Sequence, residues 1–403
     1  MKVSNEIIIS KENKKVFLVN KRTGDLYEID KKIESFLEKI KNGGTAKNID
    51  PKVLIGLERT GIIINKTKTG DNLHLQWHLT ERCNLKCAHC YQEDTISDDL
   101  SLLEMKRFID HFVYVLKKQH MNGSISLTGG EPLILGNKFW DLVRYIKLAD
   151  VPIKIYVLSN GTLITQDIAD KFAENKIGCQ ISFDGPNADI HDIIRGKGNF
   201  LRALKGAKLL IAKKVPVSSH FVIMKQNVRY VKDIVDFCFK NEFEMLIFSR
   251  LVLMGRGKKV NNQILSPLEV KKTYEEIASL AEKYKNKLEI NTNRTLWCNI
   301  DKNRGGTCPA GFSTLVINAN GSVYPCRRLP VKIGNITENS IFEIWYGSEV
   351  MKKLRDRKKI IKCGDCKFLD KCGGCRAIAY SYFGNYMFPD PQCWKIYKKL
   401  PKA

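Results

Sequence analysis

The first part of the chain alternates short apolar runs with polar turn residues. Residues 7–9, 16–19 and 26–29 are rich in Ile, Val, Leu, Phe and Tyr, and a turn-forming stretch at 21–25 separates the second run from the third. Short runs of this composition, bounded by turn residues, are typical of β-strands. The pattern therefore predicts a three-stranded meander.

Two helices and one more strand are predicted to follow the meander. Spacings of three and four residues would place four apolar side chains on one face of the first helix, namely Ile33, Phe36, Leu37 and Ile40. The second helix is predicted to begin at Pro51 and to lead into an apolar run at 62–64. We interpret residues 1–68 as a winged-helix-like domain, with a polar linker at 66–72.

From residue 73 to about residue 290 the pattern changes to alternating strands and helices. We predict strands at 73–79, 124–128, 153–158, 178–183, 217–224 and 244–251, with helices near 101–119, 138–147, 165–175, 199–213 and 228–240. Six such repeats predict an α/β fold with a parallel sheet, open or barrel-like. Ligands of such sheets bind at the carboxyl ends of the strands, so the residues that follow each strand are the candidates for a site.

Composition and charge narrow the class of protein. The 403 residues are 43% hydrophobic and 27% charged, as in ordinary globular proteins. We find neither a long apolar stretch nor a signal-peptide pattern, so we expect a cytoplasmic protein without a membrane partner. The formal net charge of +24 could attract nucleic acid, but lysines are spread along the whole chain. Nucleic-acid binding is therefore not expected.

Thirteen cysteines indicate metal binding. Cytoplasmic thiols stay reduced, so closely spaced cysteines favour metal ligation over disulfides. Three lie between Cys83 and Cys90, and eight lie between Cys298 and Cys393. The two that stand alone are interpreted as buried inert thiols, Cys179 and Cys238.

The first group follows the first predicted strand as Cys83-x3-Cys87-x2-Cys90. Three thiolates on one loop can bind three irons of a 4Fe–4S cluster and leave the fourth iron open for another ligand. An open zinc site would fit the same spacing. The neighbouring motifs are needed to choose between these alternatives.

Glycine-rich and polar segments follow the next three predicted strands. Gly129-Gly130-Glu131-Pro132 allows close approach of the backbone and offers a carboxylate to an ammonium group. Ser159, Asn160 and Ser182 place hydroxyl and amide groups at the same predicted edge, and Arg195 offers a guanidinium group to a carboxylate. Such segments after four successive strands predict a ligand site.

These motifs resemble those of the radical S-adenosylmethionine superfamily. The family's cysteine loop has an aromatic ring before its last cysteine, and here His89 stands where Tyr or Phe is more usual. The resemblance implies a partial (β/α)6 barrel in which the open iron of the Cys83, Cys87 and Cys90 cluster chelates S-adenosylmethionine. Gly129, Gly130 and Glu131 would bind its amino group, Ser159, Asn160 and Ser182 would lie near its ribose, and Arg195 would hold its carboxylate.

The same resemblance implies a reaction. One electron, from a donor such as flavodoxin or ferredoxin, would cleave the cofactor and give a 5′-deoxyadenosyl radical that removes a hydrogen atom from the substrate. No residue is assigned as the one that handles the product radical.

The second group of cysteines resembles the SPASM domain, a cysteine-rich extension of radical enzymes that binds two auxiliary 4Fe–4S clusters. The matching segments are Cys308-x12-Gly321-x4-Cys326 and Cys363-x2-Cys366-x5-Cys372-x2-Cys375, followed by Cys393. The resemblance implies a SPASM domain over residues 291–403, after a radical SAM barrel over 72–290. A pair of zinc knuckles is the alternative for the Cys-x2-Cys pairs.

The resemblance assigns four ligands to each auxiliary cluster. Those of the first would be Cys298, Cys308, Cys326 and Cys375. Those of the second would be Cys363, Cys366, Cys372 and Cys393. The expected cofactors are therefore three 4Fe–4S clusters and S-adenosylmethionine.

The amino-terminal unit resembles the peptide-recognition element of maturases that modify ribosomally synthesised peptides. That element binds a leader peptide at a sheet edge. The resemblance implies a maturase that forms a thioether or carbon–carbon bond in a precursor peptide. Alternatives are a related radical enzyme acting on a sulfatase, to form formylglycine, or on a tetrapyrrole or other cofactor precursor, and a non-enzymatic metal-binding DNA regulator. A regulator has no need of Gly129-Gly130-Glu131 or Arg195, which favours an enzyme.

Overall fold

The computed structural model describes residues 1–12, 15–20, 25–44, 49–64, 72–92, 98–119, 121–292, 295–301 and 304–396. The strands are β1 (Lys2–Val3), β2 (Ile7–Glu12), β3 (Lys15–Asn20), β4 (Leu26–Ile29), β5 (Ile63–Ile64), β6 (Asn72–His78), β7 (Asn122–Thr128), β8 (Ile153–Ser159), β9 (Gly178–Ser182), β10 (Val217–Ile223), β11 (Met245–Arg250), β12 (Glu289–Thr292), β13 (Thr314–Ile317), β14 (Ser322–Tyr324) and β15 (Gly334–Asn335).

The helices are α1 (Lys31–Lys41), α2 (Pro51–Arg59), α3 (Leu102–Gln119), α4 (Asn137–Lys147), α5 (Gln166–Glu174), α6 (Ala188–Arg195), α7 (Asn199–Ala212), α8 (Val231–Lys240), α9 (Pro267–Lys283), α10 (Glu349–Arg355) and α11 (Arg376–Phe383). No helix in the described part of the chain is both long and apolar enough to span a membrane. The predicted turn at 21–24 and most of the predicted linker, 66–71, lie outside the described residues.

A ten-stranded sheet forms the centre of the molecule. Its order is β12-β11-β10-β9-β8-β7-β6-β13-β14-β15, and neighbouring strands from β6 to β12 are parallel. Helices in the connections explain the parallel pairing, because a parallel neighbour requires a crossover. The α/β fold with a parallel sheet is thus confirmed, and the six predicted strands correspond to β6 through β11.

Both ends of this sheet were missed by the sequence pattern. At one end β12 adds a seventh parallel strand of only four residues. At the other end β13 pairs with β6 in parallel, and β14 and β15 continue as an antiparallel extension. The segment after Cys308 therefore joins the central sheet.

The two faces of the sheet differ in polarity, because successive side chains of a strand point to opposite faces. In β6, Leu75 and Trp77 are buried in the apolar core beneath the helices. His74 and Gln76 instead line a central cavity of about 1170 Å³. In β7 the serines at positions 124 and 126 line the same cavity. The cavity is therefore polar where β6 and β7 line it, whereas β8 contributes Ile153 and Ile155.

The amino-terminal unit has a small sheet and a core of its own. Strands β2, β3 and β4 form the predicted antiparallel meander. The run at 62–64 does not join it, because β5 pairs with β1. A separate buried cluster includes Leu18, Leu37 and Ile62. The winged-helix-like assignment and the division of the chain at residues 68, 72 and 290 stay predictions.

Helix α2 connects the amino-terminal unit to the part of the chain that contains the second group of cysteines, Cys298 to Cys393, which we call the cysteine-rich region. It packs against a π-helical turn, Glu343–Gly347. Glu58 of α2 is fully buried at this contact, close to Tyr346 and Arg355. Burial raises the pKa of Glu58 to about 8, although Tyr346 and the charge of Arg355 act in the opposite direction. The contact thus contains a carboxyl group that titrates near neutral pH.

Candidate active site

The cysteine loop follows β6 and is held mainly through its backbone. Ala88 N–H donates to the carbonyl oxygen of Ile194 at 2.9 Å. The Cys87 carbonyl accepts from Arg256 Nε at 3.0 Å, and the Cys90 carbonyl accepts from Gly257 N–H at 3.0 Å. An irregular loop needs such partners because its own backbone makes no ladder.

The three thiols of this loop face one small cavity at the carboxyl edge of the sheet, which we call the rim cavity. Burial raises the pKa of Cys83 to about 11, and Cys87 and Cys90 add to the rise because their charges are close. Three neighbouring thiols would together lose their protons on binding iron, and this arrangement fits a cluster with one open position.

Gly129 and Gly130 place backbone directly against the cysteine loop. Gly130 N–H donates to the Thr80 carbonyl at 2.8 Å, and Glu131 N–H donates to the Arg82 carbonyl at 2.9 Å. A Cβ on Gly129 would lie 2.3 Å from Thr80 O, and one on Gly130 would lie 2.1 Å from Arg82 O. Larger residues would push the cysteine loop away from the sheet.

Glu131 joins two rim loops from inside the protein. Its Oε1 accepts from Ser159 Oγ at 2.9 Å and from Leu133 N–H at 3.2 Å, and its Oε2 accepts from Asn160 N–H at 2.8 Å. Burial raises the pKa of Glu131 to about 7 against these hydrogen bonds. Gly129 and Gly130 line the rim cavity, whereas Glu131 is not among the described residues that line it. Ammonium binding by Glu131 stays a prediction.

The predicted ribose residues lie on the same cavity. Ser159, Asn160 and Ser182 all line it. Asn160 Nδ2 donates to Asn84 Oδ1 at 2.8 Å, and Asn84 Nδ2 donates to Thr162 Oγ1 at 2.9 Å. Asn84 lies between the first two cysteines of the loop, so these amides fix the distance between the two loops.

Arg195 is positioned by a short helix and a buried carboxylate. Helix α6 begins after Asn187, whose side chain caps it, and ends at Gly196 with φ +97. Arg195 Nε donates to Asp184 Oδ2 at 2.6 Å, and Nη1 lies 3.9 Å from Cys87 Sγ. The predicted bond to a cofactor carboxylate stays a prediction, since the charge already has a partner in Asp184.

Asp184 also binds the histidine of the cysteine loop. His89 Nε2 lies 3.1 Å from Asp184 Oδ2, and Val222 N–H donates to Oδ1 at 2.8 Å. Burial alone would raise the pKa of Asp184, but the charges of Arg195 and His89 hold it well below its usual range. Asp184 lies two residues after Ser182, which was predicted from the sequence, but the sequence pattern gave no reason to select Asp184 itself.

A glycine-arginine-glycine segment after β11 was missed. Gly255 has φ +52, and a Cβ there would lie 2.1 Å from the Gln92 carbonyl. Arg256 and Gly257 hold the cysteine loop through the contacts described above. The signal was available, because this segment follows the sixth predicted strand as the other motifs follow theirs.

A buried ion pair joins β11 to the cysteine-rich region. Arg250 Nη1 and Nη2 donate to Asp390 Oδ1 at 3.0 Å and Oδ2 at 2.7 Å. Arg250 also donates to Gln392 at 2.9 Å. The second carboxylate oxygen accepts from Cys375 N–H at 2.8 Å. Arg250 lines the rim cavity, so this pair brings a cysteine of the second group close to the site.

The second group of cysteines separates into two sets. Cys308, Cys326 and Cys375 line the central cavity. Burial, then the charges of Cys375 and Cys326, raise the pKa of Cys308 to about 11, which shows that the three lie close together. In the other set, neighbouring cysteines likewise raise the pKa of Cys363 and of Cys393. The members of this set are Cys363, Cys366, Cys372 and Cys393.

Cys298 lies near Cys372 and not near the set to which it was predicted to belong. It was predicted beside Cys308, but it forms a hydrogen bond with Cys372 that lowers the pKa of Cys372. The cause is the short turn Trp297–Asn299, which follows Leu296 at φ +70. Leu296 N–H also donates to Cys372 Sγ at 3.4 Å. The set facing the central cavity therefore has three thiols.

Comparisons with known proteins agree with this geometry. Residues 77–238 match the radical SAM superfamily, and residues 308–367 match SPASM, an iron–sulfur cluster-binding domain. The AdoMet-dependent heme synthase of Methanosarcina barkeri is 30% identical over 350 residues, which are 79% of this chain and 95% of that protein. The mycofactocin maturase MftC of Mycolicibacterium smegmatis is 29% identical over 338 residues, covering 79% and 82%.

A solved structure extends the likeness of the fold to nearly the whole chain. The crystal structure of Streptococcus suis SuiB bound to its precursor peptide SuiA has a TM-score of 0.67 at 18% identity, and the match covers 98% of this chain and 99% of that one. The identities and domain matches agree with the three thiols and glycine contacts at the rim. The protein is thus an enzyme of the radical SAM superfamily, whose members use a 4Fe–4S cluster and S-adenosylmethionine, and it carries a SPASM domain.

Proposed function

We propose that this enzyme modifies a ribosomally synthesised precursor peptide, forming a thioether or carbon–carbon bond. The observation that carries the proposal is the amino-terminal unit, a compact sheet with its own core that contributes no described residue to the lining of the rim cavity. The fold of the peptide-bound SuiB chain includes a counterpart of nearly every part of this one.

In this proposal the rim residues have separate tasks. Cys83, Cys87 and Cys90 would hold the cluster, and the backbone of Gly129 and Gly130 would receive the amino group of S-adenosylmethionine. When bound together, cluster and cofactor supply a 5′-deoxyadenosyl radical that removes a hydrogen atom from the substrate. Glu131 would act from behind, because its carboxyl joins the loop of Ser159 and Asn160 to the glycine segment.

The cysteine-rich region would hold two further clusters. Cys308, Cys326 and Cys375 would ligate the one that faces the central cavity, and three thiolates would leave a fourth position for another ligand. The remaining set would ligate the other, with Cys298 beside it. A cluster facing the cavity could accept an electron from a substrate radical, since both would share that space.

The amino-terminal unit would recognise a leader peptide. Strands β2 and β4 are the two edges of its sheet. An edge strand offers unpaired backbone groups to an extended peptide, which gives affinity with little demand on sequence. Tethering the leader there would raise the effective concentration of the core peptide at the rim cavity.

A tetrapyrrole is the second candidate substrate. The relative from Methanosarcina barkeri is named a heme synthase, and its likeness covers 79% of this chain. The central cavity, at about 1170 Å³, is large enough for either class of substrate. The amino-terminal unit favours the peptide, since a free tetrapyrrole has no leader to be recognised.

Anaerobic turnover tests the proposal. Reduced, iron-reconstituted enzyme is incubated with S-adenosylmethionine and either the peptide of a short Cys-rich or aromatic-rich open reading frame beside its gene or iron coproporphyrin III. We expect release of 5′-deoxyadenosine and a mass change in the peptide. Modification of the porphyrin and not of the peptide would replace the first candidate by the second.

Leader recognition is tested by a pair of matched deletions. Enzyme lacking residues 1–68 should still release 5′-deoxyadenosine slowly but should modify the full precursor poorly. Intact enzyme given a leaderless peptide should show the same defect. If the shortened enzyme modified the full precursor as well as the intact chain does, this unit would have another task.

A further inference from the structure

Two consecutive arginines, Arg327 and Arg328, stand where the two cavities meet. Both line the rim cavity and both line the central cavity, together with Gln180 and His220. They follow Cys326, a member of the cysteine set that faces the central cavity. Their position lies between the cysteine loop and that set.

The rim cavity carries an excess of positive charge. Of the described residues that line it, none is Asp or Glu, and five are arginine: Arg195, Arg250, Arg256, Arg327 and Arg328. The charges of two of them are matched by buried carboxylates, Asp184 and Asp390. Arg256 is held against the cysteine-loop backbone.

Arg327 and Arg328 have no salt bridge within the described part of the chain. The Arg327 guanidinium lies 5.8 Å from the centre of the Tyr91 ring. Arg328 Nη1 donates to the Arg250 carbonyl at 3.3 Å, while its Nε is buried with no hydrogen-bond partner among the described residues. Both guanidinium groups thus retain N–H donors that have no acceptor among the described residues.

The imidazoles nearby cannot supply a counter-charge, because a histidine ring is either neutral or positively charged. Burial, and then the charge of Arg327, lower the pKa of His78 to about 3 and that of His220 well below its usual range. Both rings are neutral at physiological pH. Arg327 and Arg328 are both partly buried. Two adjacent guanidinium groups that are partly removed from water are costly unless an anion pairs with them. Guanidinium groups bind carboxylates through paired hydrogen bonds.

We propose that Arg327 and Arg328 bind a carboxylate of the substrate and hold it between the cysteine loop and the cysteine set that faces the central cavity. The inference rests on the proposed function, in which a substrate enters that space. The carboxylate would belong to an acidic side chain or the carboxyl terminus of a peptide, or to a propionate of a tetrapyrrole. These sources share the chemistry that the arginines recognise.

The test measures binding, so it does not depend on turnover. Cluster-loaded enzyme and the variants Arg327→Gln, Arg328→Gln and the double variant are titrated with two pairs of probes. One pair is iron coproporphyrin III and its methyl ester, and the other is a pool of short peptides containing Asp or Glu and a matched pool containing Asn or Gln. Arg107→Gln, at an exposed position of α3 that lines neither cavity, is the control with the same charge change.

We expect the unmodified enzyme to prefer the acidic member of one pair, and that pair identifies the source. Each single variant should weaken this binding about tenfold or more, as for a hydrogen bond to a charged group. The control and the affinity for S-adenosylmethionine should not change.

Three results would overturn the inference. The unmodified enzyme could bind acidic and neutral probes equally well. The variants could lose affinity for S-adenosylmethionine, in which case the arginines hold the cofactor's own carboxylate. They could shift the reduction potential of an auxiliary cluster without altering probe affinity, in which case the cluster is the counter-charge. Failure of the proposed function would appear separately, as turnover by the unmodified enzyme that releases 5′-deoxyadenosine but leaves the precursor peptide unmodified.

Discussion

The parallel sheet and the cysteine-rich region position their thiols in different ways. Between β6 and β12 each strand is hydrogen-bonded to its neighbours, and the cysteine loop is fixed by backbone contacts from Gly130, Ile194 and Gly257. In residues 304–396 the strands have only two to four residues and the two helices have seven and eight. Regular structure alone therefore holds the first set of thiols but not the others.

This difference indicates which region depends on metal. The core under the sheet is apolar, with large side chains such as Trp77 and Phe112 fully buried. In the cysteine-rich region the buried residues include the thiols themselves, among them Cys298, Cys363 and Cys372. These thiols are buried beside apolar side chains such as Trp345 and Met351. Iron bound by them would add crosslinks to that packing, as structural metals do in small domains.

Removing the iron ligands of each region should have the largest effect, and it tests whether the two regions depend on metal to different degrees. Replacing Cys83, Cys87 and Cys90 by Ala should remove about four irons per chain and abolish release of 5′-deoxyadenosine. The melting temperature should hardly change, because the sheet holds this loop. Replacing Cys308, Cys326 and Cys375 should remove iron and also lower the melting temperature, because iron crosslinks that region.

Iron analysis and anaerobic thermal melting check both triple variants. Cys238→Ala is the control for iron content, since this thiol lies within α8 and lines neither cavity. Equal loss of thermal stability in the two triple variants would contradict the distinction between the regions.

Breaking the ion pair between the regions should have the next largest effect. Asp390→Asn leaves the Arg250 charge buried, and losing one partner of a buried pair costs about 3–5 kcal/mol. The free energy of unfolding, measured by urea titration with tryptophan fluorescence, should fall by this amount. The matched control is Glu275→Gln, which breaks the exposed pair with Lys271 and should cost about 0.3–0.5 kcal/mol. A small effect of Asp390→Asn would mean that the regions are joined by other contacts.

The smallest effect concerns pH at the contact of α2 with the cysteine-rich region. The pKa of Glu58 is raised from 4.5 to about 8, so its neutral form is favoured in the folded protein. Its contribution to stability is present below pH 4.5 and is lost as the pH rises through about 8. Compared with Glu58→Gln, which stays neutral, the unmodified protein should lose melting temperature over this window. Parallel curves for the two proteins would contradict the assignment.

The sequence predicted the sheet well because its information is local. Strands β6 through β11 are continuous apolar runs or alternating patterns, and the motifs after them mark the rim. It missed β12 and β13, which have four residues each and belong to the sheet only through partners far along the chain. Short strands of this kind are defined by pairing, which periodicity does not report.

The residues of the candidate site also fall into two groups, those that the sequence predicted and those that it did not. Cys83, Gly130 and Asn160 could be found because the chain places them in compact motifs. Asp184 and Asp390 could not, because Asp184 acts on His89 and Asp390 acts on Arg250, each distant in sequence, and neither carboxylate lies in a recognisable motif. Cys298 was predicted beside Cys308, and the turn at Leu296 that precedes its contact with Cys372 has no sequence signal.

The bond between Arg250 and Asp390 also has a consequence for biosynthesis. The two residues are separated by 140 positions, so a ribosome releases the arginine well before its partner exists. At about 5–20 residues per second, translation leaves an interval of roughly ten seconds or more. During this interval one wall of the rim cavity lacks the residue that fixes it. Loading of the iron and S-adenosylmethionine into a finished cavity is therefore expected only after translation has passed Asp390.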